Sequence, residues 1–391
     1  MKPLEGVTVL EFSTMITASF AAMMMAEQGA RVIKVEPVEA GDPMRYIGTS
    51  KGGMSGLFAN CNRGKESVRL NLKDERAQEV ARQLAAKADV VIHNYRPGVM
   101  DKLGLGSEAL READPKLIYM AISGFGATGP MSAAPAYDPV IQAHTGMAAS
   151  QGTQGHAFIR NLMCDKITAY TACQAVTSAL FQREKTGEGQ HVDLSMLDAG
   201  LFFLFPDAYM NHTLLDDDAE AQPLLADVMY QLTETKDGAI TMSAATDAQR
   251  AGAVKAVNME HLMLEERFSS LPKLMENFEE FRALIAEAYK QMSTDEAIER
   301  LRALDVPCAK SLTHEEALSQ DQLVHNQSVE EVAHPTMGTI RQFRSPARFG
   351  GEKLSMSSPS PNHGEHTISV LKDMGFGEAE LSDLQSNNVI S

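Results

Sequence analysis

Two patterns of apolar positions alternate along the first third of the chain. Short continuous apolar runs mark strands at 7–12, 31–36, 67–72, 89–93 and 116–122. Between them the apolar residues fall at helical spacing: a small-residue helix over 17–28 closed by Gly29, and an amphipathic helix over 74–87 opened by Asp74. Strand–helix–strand units of this kind build a doubly wound α/β domain on a parallel sheet, with ligands received at the C-terminal strand ends. That rule points to 13–19, 94–98 and 123–129. Residues 41–64, rich in glycine, read as loop. A helix follows 165 and stops near Gly187, 191–196 is a strand, and 197–205 is an apolar helix stopped by Pro206. An acidic stretch within 211–228 reads as a linker. The smaller region beyond it shows strands at 229–233 and 239–243 about a Lys236-Asp-Gly238 turn, then helices near 246–256, 277–290 and 293–304. The tail adds a Ser/Pro-rich crossing segment at 355–361 and a last helix at about 365–374. The expected division is a large domain over 1–210, a linker over 211–228, a small α+β domain over 229–320, and a C-terminal segment, 321–391, returning to the large domain.

Charge sharpens this outline. The 391 residues carry a net charge of −17, which disfavours nucleic acid and anionic membranes as partners. Residues 1–110 nevertheless hold 14 Lys+Arg against 13 Asp+Glu, so an anionic ligand is better received there. Four scattered cysteines lack metal-ligand spacing and read as reduced thiols in a cytoplasmic protein, with no metal expected. No signal peptide is read at the start, and no apolar run is long enough to span a bilayer. The turn after the first strand lacks G-x-G-x-x-G, so dinucleotide cofactors are not indicated.

Asp165 is the residue most open to two readings. At the head of its helix it can accept first-turn N–H groups as an ordinary cap. It can equally serve as a carboxylate nucleophile. The local pattern leaves both open.

Longer motifs change the balance. Gly29-Ala-Arg-Val-Ile-Lys-Val-Glu36 with Gly41-Asp-Pro, Asn60-Cys-Asn-Arg-Gly-Lys65, Leu70-Asn-Leu-Lys73 and Ala88-Asp-Val-Val-Ile-His-Asn-Tyr-Arg-Pro-Gly98 come first. Ile122-Ser-Gly-Phe-Gly-Ala-Thr-Gly-Pro130, Tyr137-Asp-Pro-Val-Ile-Gln142, Arg183-Glu-Lys-Thr-Gly-Glu-Gly-Gln-His-Val-Asp193 and His334-Pro-Thr-Met-Gly338 follow. In this order they resemble the class III CoA-transferases, the CaiB/BaiF family, over essentially the whole chain. The resemblance implies a Rossmann-like large domain and an interlocked homodimer. It implies an acyl-CoA and a small carboxylic acid as substrates, with no tightly bound cofactor. Asp165 matches the family's nucleophile, with Tyr137 and Asp138 beside it. Ile16, Thr17, Ala18, Leu72, Lys73, Asn94, Tyr95 and Lys102 match positions that hold CoA. Arg160 and Arg45 are candidates for a second carboxylate of the acceptor.

Three departures stand out. Thr17-Ala-Ser19 replaces the family's Ala-Gly-Pro, Ala169 replaces a glycine one turn after Asp165, and no glycine run appears within 211–228. An α-methylacyl-CoA racemase is the alternative within the superfamily, but it requires a His-Asp base pair where this chain has Tyr137-Asp138; His144 is the nearest substitute. A non-catalytic CoA-ester binding protein is the alternative from another class.

Overall fold

A computed structural model describes residues 2–151, 155–222, 230–354 and 358–391. The expected strand residue 229, the last part of the linker (223–228) and the start of the crossing segment (355–357) lie outside the described residues. The chain divides into two compact units, 1–206 with 326–391, and 207–325.

The larger unit is built on β1 (Thr8–Phe12), α1 (Thr17–Glu27), β2 (Arg31–Glu36), α2 (Gly56–Asn62), β3 (Lys65–Arg69), α3 (Glu75–Ala85), β4 (Val90–His93), β5 (Ile118–Ser123), α4 (Asp138–His144), α5 (Met163–Thr186), β6 (His191–Ser195) and α6 (Met196–Ala208). All six strands pair in parallel, in the order β3-β2-β1-β4-β5-β6. The order reverses between β1 and β4, so a crevice opens there at the C-terminal strand ends. Alternation along each strand feeds two cores. Leu10, Ile33, Val35, Val68, Val91 and Tyr119 pack with α3 and the C-terminal helices Thr367–Asp373 and Glu378–Ser386. Val9, Val32, Val90, Ile92, Ile118 and Met120 pack with the small residues of α1 and α5, including Ala18, Ala22, Ala169, Ala172 and Val176.

Several expectations need correction. Residues 41–64 are structured: Pro43–Tyr46 is a 3-10 turn, Ser50–Lys51 pairs with Met54–Ser55, and α2 begins at Gly56, where the Ser55 hydroxyl accepts the Phe58 N–H at 3.0 Å. The third strand starts two residues earlier than expected because Lys65 is fully buried and belongs to the sheet. Pro206 lies inside α6, near its end. The tail hairpin Val329–His334/Gly338–Phe343 and the helix Glu378–Ser386 have no counterpart among the expected elements, their short or mixed apolar patterns giving little periodicity.

Beneath the first βα turn lies a buried ionic network. Lys34 meets Glu11 at 2.8 Å and Asp42 at 3.0 Å, Lys65 meets Glu11 at 2.7 Å, and Arg45 grips Glu36 through two bonds of 2.6 and 2.8 Å. Burial alone would raise the Glu11 carboxyl, but Lys34 and Lys65 outweigh it and hold it well below the usual carboxylate range. Lys34 faces Glu11, Asp42 and Glu36 and is raised despite burial; Lys65 has Glu11 alone and Lys34 as a like-charged neighbour, and burial pushes it down to about 8. Arg45 is therefore not a candidate for the acceptor's carboxylate: its guanidinium is spoken for by Glu36 and stacks on the Phe58 ring, 3.7 Å from the centroid.

The smaller unit places Ala239–Met242 between Cys308–Lys310 and Thr233–Glu234 in an antiparallel sheet. Helices Asp247–Lys255, Phe278–Tyr289 and Thr294–Ala303 close its core around Phe268, Phe281, Tyr289 and Leu301.

Candidate active site

The helix that carries Asp165 starts two residues before it, at Met163, so Asp165 is the third helical residue and not the cap. The capping role belongs to another carboxylate. Asp138, the first residue of α4 and only 2% exposed, accepts the Asp165 backbone N–H on Oδ2 at 3.0 Å. Its Oδ1 accepts from the Gln142 amide at 2.6 Å. Burial, reinforced by the Asp138 charge and opposed by Lys166, lifts the Asp165 carboxyl from 3.8 to about 7. Lys166 is in turn bonded to the Asn161 side chain.

The far end of α5 is held as firmly. Gly187, at φ +78°, ends the helix in the left-handed conformation. A side chain at Gly189 would sit 2.2 Å from the Leu117 carbonyl. Arg183 pairs with Asp89 at 2.9 Å, and Asp89 also accepts the Thr8 N–H at 2.8 Å, which ties α5 to the N-terminal edge of the sheet.

At the opposite, C-terminal strand edge the first turn is gripped from two sides. The Asn94 amide accepts from the Thr14 N–H at 3.1 Å and donates to the Thr14 carbonyl at 2.6 Å and the Thr17 hydroxyl at 2.9 Å. Asp42 accepts the next N–H, that of Met15, at 3.1 Å, and Met15 adopts a left-handed φ of 61°. Beside this turn lies a cavity of about 400 Å³ lined by Thr14, Thr17, Asn94, Tyr95, Ser123 and Tyr137 among others. Tyr137, 67% exposed, brings its wall to within one residue of Asp138; Asp165 is not on the wall.

Of the expected ligand-binding positions, the structure gathers Thr17, Asn94, Tyr95 and Tyr137 around this cavity. Ile16 is buried against Met44, Phe58 and Met337, and Ala18 is fully buried between α1 and α5, so neither offers its side chain to the opening. Leu72 packs on the same apolar cluster as Tyr95. Lys73 and Lys102 are exposed and do not line the cavity; Lys73 lies 3.9 Å from Glu39. Arg160 is exposed, and His144 stacks edge-on against Phe125. Ala169 has its methyl in the α1–α5 core. Thr14 and Ser123 lie in the two stretches, 13–19 and 123–129, to which the strand-end rule points; Gln142 closes the Tyr137–Gln142 motif, and nothing local in the sequence marks its contact with Asp138.

The profile of CoA-transferase family III matches residues 4–367. This chain belongs to CoA-transferase family III. It is 31% identical to human succinyl-CoA:glutarate CoA-transferase over 400 aligned positions, covering all of this chain and 90% of that protein. It is 39% identical over 208 positions to acetyl-CoA:oxalate CoA-transferase of Acetobacter aceti, covering 52% of this chain and 53% of that protein. A CaiB/BaiF family protein from Brucella suis superposes with a TM-score of 0.83 at 29% identity, covering 95% of this chain and 99% of that one. The sequence motifs and the six-stranded parallel sheet thus identify an enzyme of the class III CoA-transferases, whose substrates are CoA thioesters. Among the described residues, no helix is long and apolar enough to cross a membrane.

Proposed function

We propose that this transferase moves CoA from an acyl-CoA to a small carboxylic acid through covalent intermediates on Asp165. The observation that carries the reading is the Asp165 carboxyl itself: it stands in the first turn of α5, its proton affinity raised by burial and by Asp138. A desolvated carboxylate of raised basicity is a better nucleophile than one in water.

The sequence of bonds closes without an outside reactant. The Asp165 carboxylate attacks the donor thioester carbon; the C–S bond breaks and CoA thiolate leaves a mixed anhydride. Thiolate then attacks the aspartyl carbonyl, the anhydride C–O bond breaks, and the donor acid departs as a carboxylate. The acceptor carboxylate repeats these steps in reverse, regenerating Asp165 and a new acyl-CoA. No proton is gained or lost, and the thioester bond energy is kept. Asp138 acts as a positioning residue that holds the Asp165 backbone, while Tyr137 closes the cavity wall. The cavity at β1, β4 and β5, with the Asn94-clamped turn, is read as the place where the CoA ester lies, consistent with the near-neutral first 110 residues. Tyr137 stands where the racemase pattern has a histidine, so one of that reaction's two proton carriers is missing, which favours transfer over racemisation. The exposed apolar side chains Phe202, Phe203 and Phe205 of α6 are read as a homodimer contact.

The pH dependence tests this reading. Only ionised Asp165 attacks, and its carboxyl is raised to about 7, so activity should rise with pH through that value and level off above it. The measurement is kcat/KM for the acyl-CoA between pH 5 and 9. A flat profile down to pH 5 contradicts a nucleophile in this environment.

A further inference from the structure

Gln142 is 2% exposed, and every polar atom of its amide is engaged. Its Nε2 donates to Asp138 Oδ1 at 2.6 Å and to the carbonyls of Ile159 and Asn161, each at 3.1 Å. Its Oε1 accepts the Ile159 N–H at 3.0 Å. These bonds join the two things that determine where Asp165 sits. One is the Asp138 carboxylate, which holds the Asp165 N–H from its other oxygen. The other is the segment 159–161, which leads directly into α5, a helix whose flanking residue Leu162 supplies no side-chain cap.

We propose that Gln142 is a positioning residue for CoA transfer: one buried amide sets both the orientation of Asp138 and the approach of the chain to α5, and thereby places the Asp165 carboxylate for attack. The inference rests on Asp165 being the nucleophile. Gln142 touches no reacting atom and acts through Asp138 and the 159–161 backbone. A side chain of this shape with a donor on one arm and an acceptor on the other is required, because the arm facing Asp138 meets three acceptors and the other arm meets one donor. Charge is involved as well as geometry. The Asp138 charge adds to the burial that raises the Asp165 carboxyl, so where Gln142 holds Asp138 bears on Asp165. Gln142 is thus linked to the nucleophile's titration through a neighbour rather than by contact.

The test compares Gln142→Met with Gln142→Glu. Methionine has nearly the same length but no donor. Asp138 then loses the donor that holds it beside Asp165, its charge bears less closely on the Asp165 carboxyl, and the acid limb of kcat/KM should move to lower pH by more than about 0.5 unit. The kcat should fall about 10- to 100-fold, with KM for the acyl-CoA changed less than about 3-fold, because the Asn94-clamped turn is untouched. Glutamate keeps the shape, and its carboxyl, facing the Asp138 carboxylate and two carbonyls, replaces the amide donor only while it holds a proton; kcat should therefore exceed that of the methionine variant and fall again at higher pH, a basic limb the unmodified enzyme lacks. A residue with only a packing role would lower the unfolding midpoint and move neither limb. Folding is checked by circular dichroism; if the methionine variant does not fold, the glutamate variant alone decides through its basic limb. A folded methionine variant with the unmodified enzyme's kcat and acid limb, or a folded glutamate variant with no basic limb, overturns the inference. Asp165→Asn assayed alongside separates the two levels: if it retains exchange, the nucleophile assignment fails; if it is inactive while both Gln142 variants match the unmodified enzyme, only the positioning role fails.

Discussion

Asp165→Asn should abolish CoA exchange, with a loss of at least about 10⁴-fold in kcat, because an amide cannot form the anhydride or release the acid. Acyl-CoA binding should persist, since the cavity beside the Asn94-clamped turn does not include Asp165. The same substitution should make the protein more stable at pH 8. A carboxyl whose folded-state value is raised from 3.8 to about 7 resists ionisation in the fold, so its favourable contribution is present at pH 4 and lost as pH rises through 7. Asparagine removes that burden, a gain on the order of 2–4 kcal/mol at pH 8 that should vanish near pH 4. Urea unfolding at the two pH values checks this. A loss of activity accompanied by a loss of stability at pH 8 would instead point to a structural role for Asp165.

The largest loss of stability is expected from Lys34→Met. Lys34 has no exposure and stands between Glu11 and Asp42. Removing it leaves Asp42 without its cation and Glu11 with Lys65 alone; breaking a buried pair of this kind costs about 3–5 kcal/mol. Urea unfolding at pH 7 reads the loss directly. Because Asp42 also holds the Met15 N–H, the residual folded enzyme should bind acyl-CoA more weakly, which a KM measurement shows. A Lys34→Met variant as stable as the unmodified protein would mean the network contributes little.

This network also explains why the motifs are legible and their purposes are not. Lys34, Glu36, Asp42, Asn62 and Lys65 come from three stretches that mark the family in sequence, yet they bind one another under the sheet edge. Arg183, Asp89, Gly187 and Gly189 likewise hold α5 and β6 to the sheet. A charged residue within an apolar strand run, such as Glu11 between Leu10 and Phe12, is the signal of such a cluster, but it names no partner. The alternating strands and helices of the large unit were readable because burial on two faces writes continuous apolar runs. Segment 41–64 reads as loop because its glycines mask a short capped helix and a turn whose order comes from buried Arg45 and Asp42.

At the candidate site, Asp165 was legible only through its place among the motifs. Its capping partner was not, because Asp138 and Asp165 are brought together by the packing of α4 on α5, a contact no local pattern encodes. Ile16 and Ala18 match the expected positions, but their side chains belong to the core, so any role they have toward CoA falls to their backbone.

The central claim is that Asp165 carries the transferred groups. Mixing enzyme with an acyl-CoA in the absence of acceptor, quenching, and mapping peptides by mass tests it most directly. A CoA thioester is expected on the peptide containing Asp165, removed by hydroxylamine with conversion of Asp165 to its hydroxamate. Efficient exchange with no adduct on Asp165, or with the adduct on another residue, would contradict it.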